Sequence, residues 1–302
     1  MSAPSDSGGR WFVALQYLLP QHLLSRLIGA IARSRYAWVR RPLIASFMRG
    51  FRPDMVDAVQ PDPQSYPSFN AFFTRALRPD TRNPSPAAQA IDSPVDGRIS
   101  AHGASAHGRL IQAKGRDYGL RELLAGNDAL ADSLVDGLFM TIYLAPFNYH
   151  RIHMALSGAL RGAWYVPGRL FSVNDATARH VPGLFTRNER VILRFDGAAG
   201  PHVLVMVGAL FVGSMGTVWH GDIAPRRARG SVALPIPPAA ALAAAAALAR
   251  GAELGRFNMG STVILLLPPG TAQWESTLAC GSVLRVGQQI GALRPAGDAV
   301  GS

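Results

Sequence analysis

The sequence predicts an α+β protein, with a helical N-terminal region followed by a β-rich body. Three observations carry this reading. Residues 11–51 place apolar side chains at helical spacing. From about residue 90 onward, runs rich in β-branched and aliphatic residues recur between Gly and Pro clusters. The chain has 302 residues, 48% hydrophobic and 16% charged, so it can bury a full core, and wholesale disorder is excluded.

The elements follow in order. Residues 1–9 are small and polar and read as a frayed start. Leu23, Leu24, Leu27, Ile28 and Ile31 share one helical face, with Arg26, Arg33 and Arg35 off it. A second helix runs through Trp38, Val39, Leu43, Ile44 and Phe47, starting near Arg40-Arg41-Pro42. The Pro- and Asp-rich stretch 53–67 reads as a linker, dividing a region 1–62 from a domain 63–302. Leu138–Leu144, Arg190–Phe195, Val203–Val212 and Val263–Leu267 read as strands. Helix signals in the body are few: Leu120–Ala125 and the Ala run 239–249.

The formal charge of +11 favours anionic partners, either phospholipid head groups or nucleic acid. Lys114 is the only lysine among the 30 basic residues. Eight Arg and no acidic residue lie between residues 10 and 52. Basic amphipathic helices with Trp and Phe on the apolar side suit the boundary of an anionic membrane. The competing reading packs those apolar faces on the protein's own core. No apolar run reaches the ~20 residues of a membrane span. Gln16, Pro20, His22 and Arg26 interrupt the N-terminal apolar run, which therefore does not read as a signal peptide. With Cys280 the sole cysteine, no intramolecular disulfide and no CxxC site can form.

Phosphate-binding P-loops, GxGxxG turns, HExxH and the G-x-S-x-G elbow are all absent from the sequence. Three constellations could carry chemistry. Met259-Gly260-Ser261-Thr262 stands directly before an apolar strand. A Ser there is ordinarily a turn residue. A strained Gly–Ser peptide would instead expose its carbonyl to the Ser hydroxyl. Tyr149-His150-Arg151-Ile152-His153 follows another strand. Its histidines are either ordinary loop residues or a general base for that hydroxyl. No nearby Cys, Asp or Glu completes a metal site, and none is expected. In Ser93-Pro94-Val95-Asp96-Gly97, Asp96 is either part of a tight turn or a carboxylate that orients a His.

Together these residues resemble the phosphatidylserine decarboxylase family. The resemblance spans roughly 12–292, in the family's order. It includes Phe69-Asn70-Ala71-Phe72-Phe73-Thr74-Arg75, Asp96-Gly97, Gln112-Ala113-Lys114-Gly115, Leu123-Leu124-Ala125-Gly126 and Tyr149-His150-Arg151-Ile152-His153-Met154. Tyr165-Val166-Pro167-Gly168, Leu170-Phe171-Ser172-Val173-Asn174, the run Leu184 to Arg190, Val207-Gly208-Ala209 and Gly255-Arg256-Phe257 continue it. Met259 replaces the family's usual Leu, Ala155 replaces a common Pro, and the Ala-rich stretch 239–249 does not match.

The resemblance implies a self-processing enzyme. Ser261 attacks the Gly260 carbonyl, His153 is the base and Asp96 orients it. Ester formation, β-elimination and loss of ammonia leave a covalent pyruvoyl group on residue 261. The large chain 1–260 and the small chain 261–302 stay associated. The pyruvoyl carbonyl forms a Schiff base with phosphatidylserine, draws off the electrons as CO2 departs, and phosphatidylethanolamine is released. His150 is a candidate proton donor, ahead of His153. The expected setting is the cytoplasmic side of the cell membrane, as a peripheral protein in contact with anionic lipid and not nucleic acid. Homo-oligomer formation stays open. The alternative is a serine hydrolase that uses Ser261, His153 and Asp96 without cutting itself.

Overall fold

Two-residue alternation builds the core. Along Leu138–Leu144, Met140, Ile142 and Leu144 join one hydrophobic cluster while Phe139 and Tyr143 join another. Ser261–Leu267 behaves in the same way, with Val263, Leu265 and Leu267 on one side and Ile264 and Leu266 on the other. These strands read as unbroken apolar runs because both their faces are buried. The computed structural model describes residues 6–113, 115–198, 200–210, 214–223, 230–238, 249–259 and 261–295. Lys114, Gly260 and the Ala-rich residues 239–248 lie outside the described residues, as do positions 211–212 of the strand expected at Val203–Val212.

Eight antiparallel strands form the main sheet. Their spatial order is Val232–Ala233, Ala159–Val166, Arg190–Gly197, Gly200–Val207, Ser261–Leu267, Leu138–Leu144, Gly97–Ala104 and Val283–Leu284. Two smaller sheets contribute to the cluster on one face. One joins Ala90–Asp92, Gln289–Leu293 and Ala272–Trp274; the other joins Gly221–Ile223, Met215–Thr217, Glu253–Phe257 and Arg151–His153. The hairpin Arg109–Ala113/Arg116–Gly119 and several short helices contribute to the opposite face, adding Leu110, Tyr118, Leu123 and Phe185. Helices and strands are thus mixed, and the body is strand-rich, as expected.

Many residues behind the family resemblance act as cross-links. Gln112 donates to the Ala178 and Val181 carbonyls and accepts from the Leu184 N–H. The buried Arg190 donates to the carbonyls of Leu123, Thr186, Asn188 and Glu122. Burial pushes its pKa down to about 10.

The N-terminal region forms three helices: α1 (Asp6–Leu18), α2 (Gln21–Arg33) and α3 (Ala37–Phe51). Helix α1 begins within the stretch read as frayed. Helix α3 starts at Ala37, ahead of the expected Arg40, and runs through Pro42, which lacks the N–H for one helical bond. The larger departure is the inner face of α2. Gln21, Ser25, Gly29 and Ala32 are buried, whereas Leu23 (66% exposed), Leu27 (56%) and Ile31 (41%) face outward. Docking is polar: Gln16 Oε1 accepts from the Ser172 N–H and Gln21 Oε1 from the Leu170 N–H. Three of the five residues of the expected apolar stripe of α2 are therefore left exposed, while Leu24 and Ile28 are half-buried. The stretch 53–67 is packed as well. Ala58 pairs with Leu77, and Tyr66 joins Ile44, Phe69, Phe72 and Phe73 in a third cluster.

Gly97 carries the close approach of its strand to Leu138–Leu144. A Cβ there would lie 2.6 Å from the Tyr143 carbonyl oxygen. Gly97→Ala should therefore destabilise the fold by roughly 1–3 kcal/mol, read from the denaturant midpoint. An unchanged midpoint would contradict this packing.

Candidate active site

The polypeptide changes sheets in a short space. Glu253–Phe257 belongs to the four-stranded sheet, and Ser261–Leu267 sits in the middle of the eight-stranded one. The expected cleavage point, Gly260–Ser261, falls in this passage. The backbone of Ser261 pairs with Leu144, and Thr262 pairs with both Tyr143 and Val207. Just before the passage Met259 has φ +146°, a region that side-chain-bearing residues rarely enter. A strained backbone therefore stands two residues ahead of Ser261.

His153 ends the strand Arg151–His153. Its N–H donates to the Pro94 carbonyl at 2.8 Å, which ties it to the loop that carries Asp96. Nδ1 lies 2.8 Å from the Gly251 carbonyl and Nε2 lies 3.0 Å from the Tyr149 hydroxyl. A carbonyl only accepts, so the proton sits on Nδ1 and the lone pair on Nε2. Burial lowers the His153 pKa, and the Gly251 carbonyl and the charges of Glu253 and Asp96 only partly offset this. The ring is thus kept in its basic, neutral form.

Asp96 is buried and hydrogen-bonded elsewhere. Arg82 reaches both carboxylate oxygens, through Nε at 3.1 Å and a terminal nitrogen at 2.9 Å, and the Val286 N–H adds a bond at 2.8 Å. No Asp96–His153 hydrogen bond forms, because the ring nitrogens of His153 are already engaged. The charge of Asp96 favours the protonated form of His153 slightly.

His150 is fully buried and stacked on Phe73, with ring centroids 4.1 Å apart. Its Nε2 lies 3.2 Å from the Pro146 carbonyl. Burial drives its pKa down to about 3. At neutral pH it is an uncharged imidazole whose Nε2 proton points at that carbonyl.

Register orders the site along the strands. The Phe257 N–H donates to the His150 carbonyl, which brings His150 beside the entry to the passage. His153 pairs with Glu253, further back along the same strand. Arg98, Tyr143 and Thr262 lie on one rung across three strands. The loop residue Asp96 is thus separated from Ser261 by about two strand spacings, roughly 10 Å. Sequence reasoning missed Arg82, Gly251 and Tyr149 as partners. Tyr149 lay inside a quoted motif; the other two are distant in sequence and carry no local signal.

Two cavities flank the end of Leu138–Leu144 and share Tyr143. One, of about 480 Å³, is lined by Arg98, Asn148, Asp175 and Arg179 among others. The other, of about 310 Å³, is mainly apolar and runs from Phe12 and Leu15 of α1 to Leu144, the strand partner of Ser261. Among the described residues, no group of three or more His, Cys, Asp or Glu could hold a metal ion.

A family model described as phosphatidylserine decarboxylase matches residues 69–292, and a second, described as PSD, matches residues 11–52. The chain is 48% identical to a phosphatidylserine decarboxylase proenzyme of Pseudomonas fluorescens, over 93% of its own length and 97% of the relative's. It is 46% identical to a protein of the same description from Methylococcus capsulatus, covering 94% and 96% of the two chains. A third, from Ectopseudomonas mendocina, is 48% identical over 93% and 98%.

The burial of His150 gives a direct expectation. In an NMR titration of ring-labelled protein, its signals should not move between pH 8 and pH 5, since its pKa lies near 3. A midpoint at the ordinary imidazole value of about 6.5 would contradict the assignment.

Proposed function

The chain belongs to the phosphatidylserine decarboxylase family, and on that premise we propose that it cuts itself between Gly260 and Ser261 and then converts phosphatidylserine to phosphatidylethanolamine and CO2. The observation that carries the self-cleavage is the φ of Met259, a strained backbone immediately before the Gly–Ser bond. The full-length match to relatives named as proenzymes supports the same reading.

Self-cleavage uses the chain's own groups. The Ser261 hydroxyl attacks the Gly260 carbonyl carbon and its proton passes to the neutral His153, whose lone pair is at Nε2. His153 then returns that proton to the amide nitrogen as the C–N bond breaks, and an ester and a free amine form. Removal of the Ser261 α-proton then breaks the Cβ–O bond, leaving a Gly260 carboxylate, and water releases the nitrogen as ammonia. Tyr149, bonded to Nε2, is the group that must yield for His153 to act. The Gly251 carbonyl holds the tautomer, and Asp96 stabilises the transient imidazolium through its charge.

The new terminus at residue 261 would carry the pyruvoyl group, whose ketone takes up an amine and accepts the electron pair left when CO2 departs. His150, held neutral beside Phe257, is the group we assign to proton delivery, as a relay that takes a proton at its unpartnered Nδ1 while Nε2 gives one up. The apolar cavity between α1 and Leu144 suits the lipid end of the substrate, and Arg98 and Arg179 of the neighbouring cavity suit its phosphate. Pairing of strands from 261–302 with strands of 1–260 supports lasting association of the two chains. The serine hydrolase alternative is not favoured, since the relatives matched over nearly their whole length are named as decarboxylase proenzymes.

We also assign residues 1–62, docked on the decarboxylase domain 63–302, to membrane association. Among the described residues, thirteen of the eighteen exposed large hydrophobic residues fall before residue 60, beside eight Arg. An exposed apolar patch with a basic rim suits an anionic lipid surface better than nucleic acid, which offers no apolar phase. Among the described residues no helix is long and apolar enough to cross a membrane. The reading is a peripheral protein on the cytoplasmic side of the cell membrane.

Ser261→Ala should yield a single chain that releases no CO2 from phosphatidylserine vesicles; activity at the unaltered level would remove Ser261 from its role. Leu23→Ser/Leu27→Ser/Ile31→Ser should leave the fold intact and weaken sedimentation with anionic vesicles ~10-fold or more, since each apolar side chain withdrawn from lipid forfeits about 1.5–3 kcal/mol. Unchanged sedimentation would defeat the docking assignment.

A further inference from the structure

Asn258, next to the strained Met259, is 1% exposed and is held on every side. Its amide nitrogen donates to Ser214 Oγ at 2.6 Å and to Asp222 Oδ1 at 3.1 Å. Its side-chain oxygen accepts from Asn70 Nδ2 at 3.1 Å, and its backbone N–H donates to the Ser214 carbonyl at 3.0 Å. Arg33, the last residue of α2, completes the cluster by donating to Ser214 Oγ at 2.8 Å and to Asp222 Oδ2 at 3.1 Å. Met259 in turn packs against the cluster of Phe69, Phe72 and Phe73. On the other side of the bond, the backbone of Ser261 is paired in the large sheet.

We propose that Asn258 and Arg33 are positioning residues for self-cleavage, forming with Ser214 and Asp222 a clamp that keeps the segment before Gly260–Ser261 in its strained form. Rarely populated backbone conformations persist only where their surroundings over-determine them. Here residue 258 is pinned by four hydrogen bonds and residue 261 by strand pairing, so the two residues between must take up the mismatch. Release of Asn258 would let Met259 return to negative φ, and the Gly260 carbonyl would lose its presentation. Arg33 acts at one remove. Its exposed ion pair with Asp222 contributes little by itself, but it orients the two acceptors that Asn258 uses. Neither residue touches the reacting atoms, and the inference rests on the self-cleavage reading above.

The test follows conversion of the full chain, pulse-labelled in cell-free synthesis, from one band to two on a denaturing gel, with the melting midpoint measured alongside. Asn258→Ala should slow conversion by ~10-fold or more, the scale of one or two lost buried hydrogen bonds. Arg33→Ala, at a half-exposed position that leaves the fold undisturbed, should slow it by a smaller factor at an unchanged midpoint. Arg33→Lys, which keeps a donor, should restore part of the rate. Conversion of Asn258→Ala and Arg33→Ala at the unaltered rate would overturn the clamp, as would a Lys variant no faster than the Ala variant. If the unaltered chain itself never converts, the self-cleavage reading fails instead.

Discussion

The passage between two sheets is the constraint on which the site depends. Glu253–Phe257 is fixed by its partners Met215–Thr217 and Arg151–His153, and Ser261–Leu267 is fixed between Leu138–Leu144 and Gly200–Val207. Neither strand can shift without breaking a ladder and exposing a core. The residues between them absorb whatever the two sheets do not reconcile, and Met259 is where that shows. On the proposed reading, the strain at Met259 is what self-cleavage would draw on.

The same constraint explains how a cut chain would remain one molecule. Segment 261–302 contributes the central strand Ser261–Leu267, the edge strand Val283–Leu284 and the strand Gln289–Leu293, each paired with a strand from before residue 260. Both hydrophobic clusters around the main sheet draw residues from either side of the cut. The Val286 N–H bonded to Asp96 comes from the small segment too. Cleavage after residue 260 would therefore remove one covalent link from a shared core and leave the packing in place.

Legibility followed the range of the interaction. The strands Leu138–Leu144 and Ser261–Leu267 could be read because β-branched and aliphatic runs bounded by Gly and Pro are local signals. The helices of residues 11–51 could be read from periodicity, but the direction of their apolar face could not. Leu23, Leu27 and Ile31 face outward because Gln21 and Ser25, polar residues that the hydropathy pattern assigns to solvent, dock against the body. At the site, the histidines and the aspartate were found by type and motif. Their partners were not: Gly251 is ninety-eight positions from His153, and Val286 is 190 positions from Asp96. Such contacts exist only once the sheets have formed.

The electrostatics of the site point the same way. Burial lowers the pKa of both His150 and His153 and so favours their neutral forms, as the proposed base role of His153 requires. The central claim is that this chain remakes its own Ser261. Denaturing mass spectrometry of the purified protein tests it most directly. The account predicts two polypeptides, with the smaller lighter by one ammonia than a serine-ended 261–302 peptide. A single intact polypeptide that nonetheless decarboxylates phosphatidylserine at full rate would contradict it.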